Sequence, residues 1–318
     1  MKIVVLDGYV LNPGDMSWAG FSKFGEVIVY DRTPKDKIIE RIQDAEAVLT
    51  NKTSLRRETF DKLNKLKYIG VLATGFNIVD VDAAAENGIS VTNIPGYSTD
   101  AVAQMVMALT LELCHHAGDH SREVKAGAWS ESIDFAFWNY PLVELKGKNM
   151  GIIGFGQIGK AVAGLAKAFG MNILYNSRTP KEYAIETGAI YTDLNSLFEQ
   201  SDVISLNCPL TDETRNLINR ETLDKMKKSA FLINTARGPV INEEDLAKAL
   251  NSNVIAGAAV DVLSREPADK NNPLLSAKNC IITPHIAWAT KEARERLMTI
   301  AITNIEAYID GNPQNIVI

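Results

Sequence analysis

The sequence predicts an α/β chain built on two parallel sheets. Three observations carry that expectation. Short apolar runs of strand length alternate with amphipathic segments twice, over residues 2–95 and again from about residue 147. The stretch between them, residues 97–143, fits neither series. The string GFGQIG, residues 154–159, sits where an apolar run passes into a helical one. A chain of 318 residues is long enough for two domains.

In the first series the expected strands are 3–6, 27–30, 47–49, 68–72 and 89–92. Helical patterns lie at 35–43 and at 80–87, the latter closed by Gly88 as a C-terminal cap. In the second series strands are expected at 149–154, 172–175, 203–206, 230–234, 256–260 and 280–283. Helical patterns fall at 160–169, 194–200, 220–227 and 243–250. A last helix, 291–310, starts after Thr290 and stops at Gly311, with Pro313 beyond. Residues 101–114 are apolar on all faces and read as a buried helix, too short and too interrupted by Gln104, Thr110 and Glu112 to span a membrane. The segment after it carries Trp129, Phe135, Phe137, Trp138 and Tyr140, which fit equally an arm that pairs two copies of the chain or a cover for its own domains.

Composition narrows the function classes. Lysine and arginine total 33 against 39 aspartates and glutamates, a net charge of −6, so no basic field recruits nucleic acid or an anionic membrane. Cys114, Cys208 and Cys280 are scattered and odd in number, which suits a reducing cytoplasm and argues against a disulfide framework. No CxxC or paired-histidine spacing suggests a metal site. The start, MKIVVLDGYV, is too brief for a signal peptide and reads as a first strand.

The glycine string has a physical reading. A strand turning sharply into a helix leaves unpaired N–H groups backed by the positive end of the helix dipole. Gly154 permits the turn, Gly156 lets a pyrophosphate approach the backbone, and Gly159 lets helix and strand pack closely. With a strand before and a helix after, this predicts a dinucleotide-binding (Rossmann) domain, with Phe155, Gln157 and Ile158 also on the loop. An NAD-binding site places a carboxylate on the ribose about 20 residues past the first glycine. Here residues 174–179 read LYNSRT, without Asp or Glu. Ser177, Arg178 and Thr179 offer donors and positive charge, which predicts NADP(H) ahead of NAD(H), with NAD(H) retained as the alternative.

Three later stretches, INTARGPV (233–240), AAVDVLSREP (258–267) and ITPHIAW (282–288), fall where parallel strands end. Ligands of doubly wound sheets bind beyond those ends. Arg237, Asp261, Glu266 and His285 are thereby candidates to meet there. A 2-keto acid offers a carboxylate and a carbonyl to the planar fork of an arginine. His285 can give a proton to the carbonyl oxygen as hydride arrives, and Glu266 can fix its tautomer. Each is also an ordinary structural residue type; only the joint placement favours chemistry. His115, His116 and His120 lie on or just past the long helix and read as structural.

With these residues, and over nearly its whole length, the chain resembles the D-isomer-specific 2-hydroxyacid dehydrogenase family. The segments VELKGKNMGIIGFGQIGKAVA, DVISLNCPLTDETRNLI, AFLINTARGPVINEEDLAKAL, AGAAVDVLSREP and NCIITPHIAWAT occur in the family's order and spacing. The resemblance implies that Arg237, Glu266 and His285 are catalytic. It implies that Thr235, Ala236 and Asp261 line the nicotinamide end of the cofactor, with Arg237 and His285 beside them, and that Cys208, Pro209 and Thr214 lie on the adenosine side. It further implies that backbone N–H groups of LATGFNIVD, at Ala73, Thr74 and Gly75, hold the substrate carboxylate, with Tyr97 over the substrate.

The implied organisation is a smaller flavodoxin-like substrate domain, 1–100 with 288–318, and a cofactor domain, 101–287, in which 97–143 serves as a dimerising helix and arm. The implied activity is reduction of a small 2-keto acid to its D-2-hydroxy acid, similar to that of the glycerate dehydrogenase branch. Hydroxypyruvate or glyoxylate comes first, and a D-lactate type of reaction is the alternative. The chain departs from the family at Asn207, Gln104 and Asn77, where histidine, glutamate and aspartate are usual. Glu266 stands where formate dehydrogenases carry glutamine. A reading from another class is a dinucleotide-sensing binding protein on the same fold, similar to corepressors, although the chain has neither a long tail nor a basic face. The expected setting is cytoplasmic and homodimeric.

Overall fold

A computed structural model describes residues 1–182 and 184–318 of the chain. It divides into two compact units, Met1–Ser98 with Ala289–Ile318, and Thr99–Trp288. The long helix of the second unit starts at Thr99 rather than at 101.

The first unit runs β1 (Lys2–Val5), β2 (Glu26–Val29), α1 (Ile38–Ile42), β3 (Ala47–Thr50), α2 (Arg57–Phe60), β4 (Tyr68–Val71), α3 (Val81–Glu86) and β5 (Ser90–Thr92). All its strand pairs are parallel, in the order β2-β1-β3-β4-β5, the flavodoxin-like arrangement. Asp80 caps α3 by accepting the Ala83 N–H at 3.1 Å, and Gly88 takes φ +65° just past its end. One face of the sheet, with Val4, Leu6, Val48, Ile69 and Val71, buries against Ile38, Ile42, Phe60 and Ala83. The final helix, Lys291–Ile309, belongs to this unit and buries Ala293, Leu297, Ala301 and Ile305, one residue per turn. Buried Arg294 on the same helix is held bidentately by Asp15, at 2.8 and 2.6 Å.

The second unit opens with α4 (Thr99–His115) and α5 (Ala117–Lys125), separated by His116 at φ +47°. It continues β6 (Asn149–Ile153), α6 (Gln157–Ala168), β7 (Asn172–Asn176), α7 (Ala184–Thr187), β8 (Ile190–Tyr191), α8 (Leu194–Gln200), β9 (Val203–Leu206), α9 (Arg220–Asp224), β10 (Phe231–Asn234), α10 (Glu243–Asn251), β11 (Gly257–Val260) and β12 (Cys280–Ile282). The seven strands pair in parallel in the order β12-β11-β10-β9-β6-β7-β8. Chain direction across the sheet reverses between β6 and β9, which makes the ends of those two strands the switch point. Side-chain alternation splits the core in two. Ile153, Leu206 and Leu232 face α8 and α10, whereas Ile152, Val203 and Ile233 face α4 and α6.

Local differences from the sequence reading have local causes. The helix after the glycine string starts at Gln157, three residues early, because Gly156 is its N-cap. The pattern at 35–43 begins as a 3₁₀ turn, Lys35–Lys37. The pattern at 220–227 yields only the five residues of α9, started by the Asn219–Thr222 capping box. α5, α2, α7 and β8 went unread, being polar or too short for a periodicity.

Candidate active site

The glycine loop is built by close approach. Gly154 has φ +90°, and a Cβ there would meet Asn207 C and O and Cys208 N, each at 2.6 Å. The β6 and β9 loops therefore touch backbone to backbone at the switch point. A Cβ on Gly159 would stand 2.3 Å from Gly154 O, so helix and strand are in contact there as well. Gly156 is different: a Cβ would meet no atom within 4 Å. No described residue requires a glycine at 156. No side chain caps α6, so the N–H groups of Gln157, Ile158 and Gly159 face outward with the helix dipole behind them. Phe155 sends its ring inward against Tyr175, with centroids 4.2 Å apart, and leaves only its backbone to the loop.

Two buried oxygens at neighbouring strand ends lack a hydrogen-bond partner among the described residues: Asn207 Oδ1 after β9 and Thr235 Oγ1 after β10. Buried polar atoms are nearly always satisfied. Two orphans and an unfilled glycine along one strand edge fit a polar dinucleotide laid there. Thr214 closes the next loop by donating to Pro209 O at 2.7 Å and accepting from Thr211 N–H at 2.8 Å. Cys208 packs its thiol into the core, where burial pushes its pKa up. After β7, the Ser177 hydroxyl donates to Thr179 O at 2.6 Å, and Arg178 is exposed. Lys181, which the sequence reading passed over, lies with Nζ 3.3 Å from Thr179 Oγ1 and adds a second cation.

Three further loops, after β10, β11 and β12, are knitted together. Buried Asn234 organises the first: its Oδ1 accepts from Ala236 N–H and its Nδ2 donates to Arg237 O, both at 3.0 Å. Arg237 is extended and exposed, with Nη1 donating to Ala236 O at 2.7 Å. A Cβ on Gly238 would lie 2.0 Å from Leu263 C, so this loop rests directly on the one that carries Glu266. Glu266 Oε1 accepts the Leu263 N–H at 3.1 Å, and Oε2 lies 2.7 Å from His285 Nδ1. The carboxylate is an acceptor, so Nδ1 carries the hydrogen and Nε2 is the position left for proton exchange.

His285 itself sits at φ +56°, a costly conformation for a residue with a Cβ. Asp261 supports it. The Asp261 carbonyl accepts the His285 N–H at 2.8 Å, Oδ1 takes the Ile286 N–H at 2.9 Å and the Thr283 hydroxyl at 2.5 Å, and Oδ2 takes the Ala287 N–H at 2.8 Å. Asp261 is 1% exposed, so its side chain is committed to this loop. Asn234 and Thr283 were missed in the sequence; as small polar residues at strand ends they carry no signal of their own.

In the first unit, Ala73, Thr74 and Gly75 follow β4, and no described residue accepts from their N–H groups. Tyr97 is buried and its carbonyl accepts from Arg296 Nε at 2.9 Å.

This fold, with an arginine, a carboxylate-held histidine and a dinucleotide cradle after its strands, defines a class of nicotinamide-dependent oxidoreductase. The sequence model described as "D-isomer specific 2-hydroxyacid dehydrogenase, NAD binding domain" matches residues 107–287. The chain is 52% identical over 320 residues to a hydroxypyruvate reductase of Blautia hydrogenotrophica, covering 100% of this chain and 99% of the relative. It is 40% identical over 319 residues to a glycerate dehydrogenase of Methylorubrum extorquens, covering 99% and 98%. Among solved structures it is similar to a D-lactate dehydrogenase of Aquifex aeolicus complexed with NAD and lactic acid, with TM-score 0.83, 30% identity and coverage of 98% and 96%. The chain belongs to the D-isomer-specific 2-hydroxyacid dehydrogenase family, and its cofactor is a nicotinamide dinucleotide.

Proposed function

We propose that this protein reduces hydroxypyruvate, and glyoxylate with it, to the D-2-hydroxy acid, working with NADP(H) in preference to NAD(H). The observation that carries the reading is the His285–Glu266 pair, 2.7 Å apart, on a histidine whose strained backbone Asp261 holds in place. The 52% identity to a hydroxypyruvate reductase supports the choice of substrate.

A bound reduced nicotinamide supplies the hydride that reaches the substrate C2. His285 Nε2 gives the proton to the carbonyl oxygen, while Glu266 on Nδ1 stabilises the charged imidazole before transfer and keeps the tautomer afterwards. Arg237 polarises the carbonyl and binds the carboxylate through its donor fork. Within the first unit, the N–H groups of Ala73, Thr74 and Gly75 are the candidates for holding a substrate carboxylate, with Tyr97 as the further substrate-binding candidate. Along the cofactor, residues 154–159 take the pyrophosphate, Thr235, Ala236 and the Asp261 loop the nicotinamide end, and Cys208, Pro209 and Thr214 the adenosine side. Protonated His285 serves reduction and neutral His285 serves oxidation.

Ser177, Arg178 and Thr179, with Lys181, support NADP(H): residues 174–179 carry no Asp or Glu, and Lys181 Nζ lies 3.3 Å from Thr179 Oγ1. Arg178→Ala should lower the preference for NADPH over NADH by about 10-fold or more, the scale of one charge-assisted phosphate contact. Equal use of both cofactors by the unaltered protein would remove that assignment. The NAD complex of the Aquifex aeolicus relative keeps NAD(H) with a D-lactate type of reaction as the second reading. A screen of hydroxypyruvate, glyoxylate and pyruvate with both cofactors decides between them.

The working form is a cytoplasmic homodimer. Beyond α5 the arm exposes Ile133 (102%), Phe135 (93%) and Trp138 (66%), whereas Phe137 and Tyr140 turn back onto His120 and His116. Three large apolar side chains this open on one short segment suit a second copy of the chain. A monomer by sedimentation at micromolar concentration would contradict it. No described helix is long and apolar enough to cross a membrane.

A further inference from the structure

At the carboxyl edge of the first sheet, residues that follow β1, β3 and β4 are joined in one run of hydrogen bonds. Asp7 Oδ1 accepts the Asn51 N–H at 2.7 Å, and Oδ2 accepts the Lys52 and Thr53 N–H groups, both at 2.6 Å. Three successive amides converge on one carboxylate and fix the 51–53 turn. The turn aims Asn51, which is 4% exposed, at the end of β4, where Nδ2 donates to the Leu72 carbonyl at 2.6 Å. Only the NH₂ group can face a carbonyl, so the amide's orientation is set.

The next two carbonyls are held from the end of β5. Ile94 N–H donates to Ala73 O at 3.0 Å, and Asn93 Nδ2 donates to Thr74 O at 2.8 Å. A peptide unit is planar and trans, so holding one carbonyl fixes the direction of the N–H that follows it. Clamps on the carbonyls of Leu72, Ala73 and Thr74 thus set the N–H groups of Ala73, Thr74 and Gly75. These are the three that no described residue accepts from. A second observation concerns Asn51 itself: its Oδ1 is buried and lacks a partner among the described residues. The Asn51 side chain meets the described chain through its donor, on Leu72 O.

We propose that Asn51, anchored through Asp7, is a positioning residue that presets the anion-binding backbone at 73–75 for the carboxylate of the 2-keto acid. The inference rests on the functional reading above. Asn51→Leu keeps the volume and removes the donor; Asp7→Asn removes an acceptor from the turn. In both variants the KM for hydroxypyruvate, and the inhibition constant of oxamate as an unreactive carboxylate probe, should rise about 10-fold or more. Dinucleotide affinity by fluorescence titration should stay within about twofold of the unaltered protein, and kcat should change much less than KM. If Asn51→Leu does not fold, Asp7→Asn decides. Keto-acid and oxamate constants unchanged in the variants would overturn the proposal, as would dinucleotide affinity falling in step with them. Failure of the unaltered protein to reduce any 2-keto acid would instead remove the functional reading itself.

Discussion

His285 is held in a conformation it would not adopt alone. A side chain at φ +56° costs about 1–3 kcal/mol, and three backbone N–H groups and one hydroxyl spent on Asp261 offset that cost. The strain turns the ring so that Nδ1 meets Glu266 and Nε2 stays available. His285→Ala should lower kcat by about 10²–10⁴-fold while leaving dinucleotide affinity intact, as stopped-flow reduction and fluorescence titration would show. Glu266→Gln should cost less, because an amide oxygen can still accept from Nδ1. Asp261→Ala should lose turnover and also about 3 kcal/mol of stability in chemical denaturation, since it leaves the Thr283 hydroxyl and the Ile286 and Ala287 N–H groups without their acceptor. An Asp261→Ala protein with unchanged kcat would show that the 283–287 loop does not need its anchor.

At the scale of elements, the two sheets and the glycine loop were legible because their signals are periodic or steric. Strands buried on both faces write themselves as apolar runs, as ILY and VISL do within β7 and β9. The loop 154–159 was legible because Gly154 and Gly159 are demanded by close contact. Short polar elements were not: α5 gains its place through the stack of Tyr140 on His116, with centroids 4.3 Å apart, which no periodicity encodes. The same holds in the site. Arg237, Glu266 and His285 stand out as reactive types after strand ends, whereas Asn234, Thr283 and Asn51 act through geometry that only the folded chain displays. The glycines give a paired prediction. Gly156→Val should weaken dinucleotide binding about 100-fold with little change in Tm, because the new side chain meets only the ligand's space. Gly159→Val should instead lower Tm, because its Cβ collides with Gly154 O. Equal Tm losses in the two variants would contradict this division.

Across the whole molecule, charge is spread thinly and partly buried acceptors add to stability. Asp202 is one of them. Burial alone would raise its pKa, but the Asn149 N–H at 2.9 Å and Lys227 Nζ at 2.9 Å outweigh that and hold it below the ordinary 3.8. A lowered folded-state value stabilises the protein above the unfolded carboxylate's pKa and ceases to do so as pH falls through the folded one. The stability gap between the unaltered protein and Asp202→Asn should therefore be full at neutral pH and close below about pH 4, by thermal melts across that range. A gap that widens on acidification would refute the assignment. The cysteines lie at the other extreme: burial pushes Cys114 up to about 11 and Cys280 to about 12, so neither is a ready thiolate near neutrality.

The most direct test is a single-turnover experiment with the protein, reduced dinucleotide and hydroxypyruvate, following nicotinamide absorbance and the chirality of the glycerate formed. The account predicts that absorbance is lost in step with appearance of D-glycerate, and that His285→Ala binds the same dinucleotide yet stalls. L-glycerate, or undiminished turnover by His285→Ala, would contradict it.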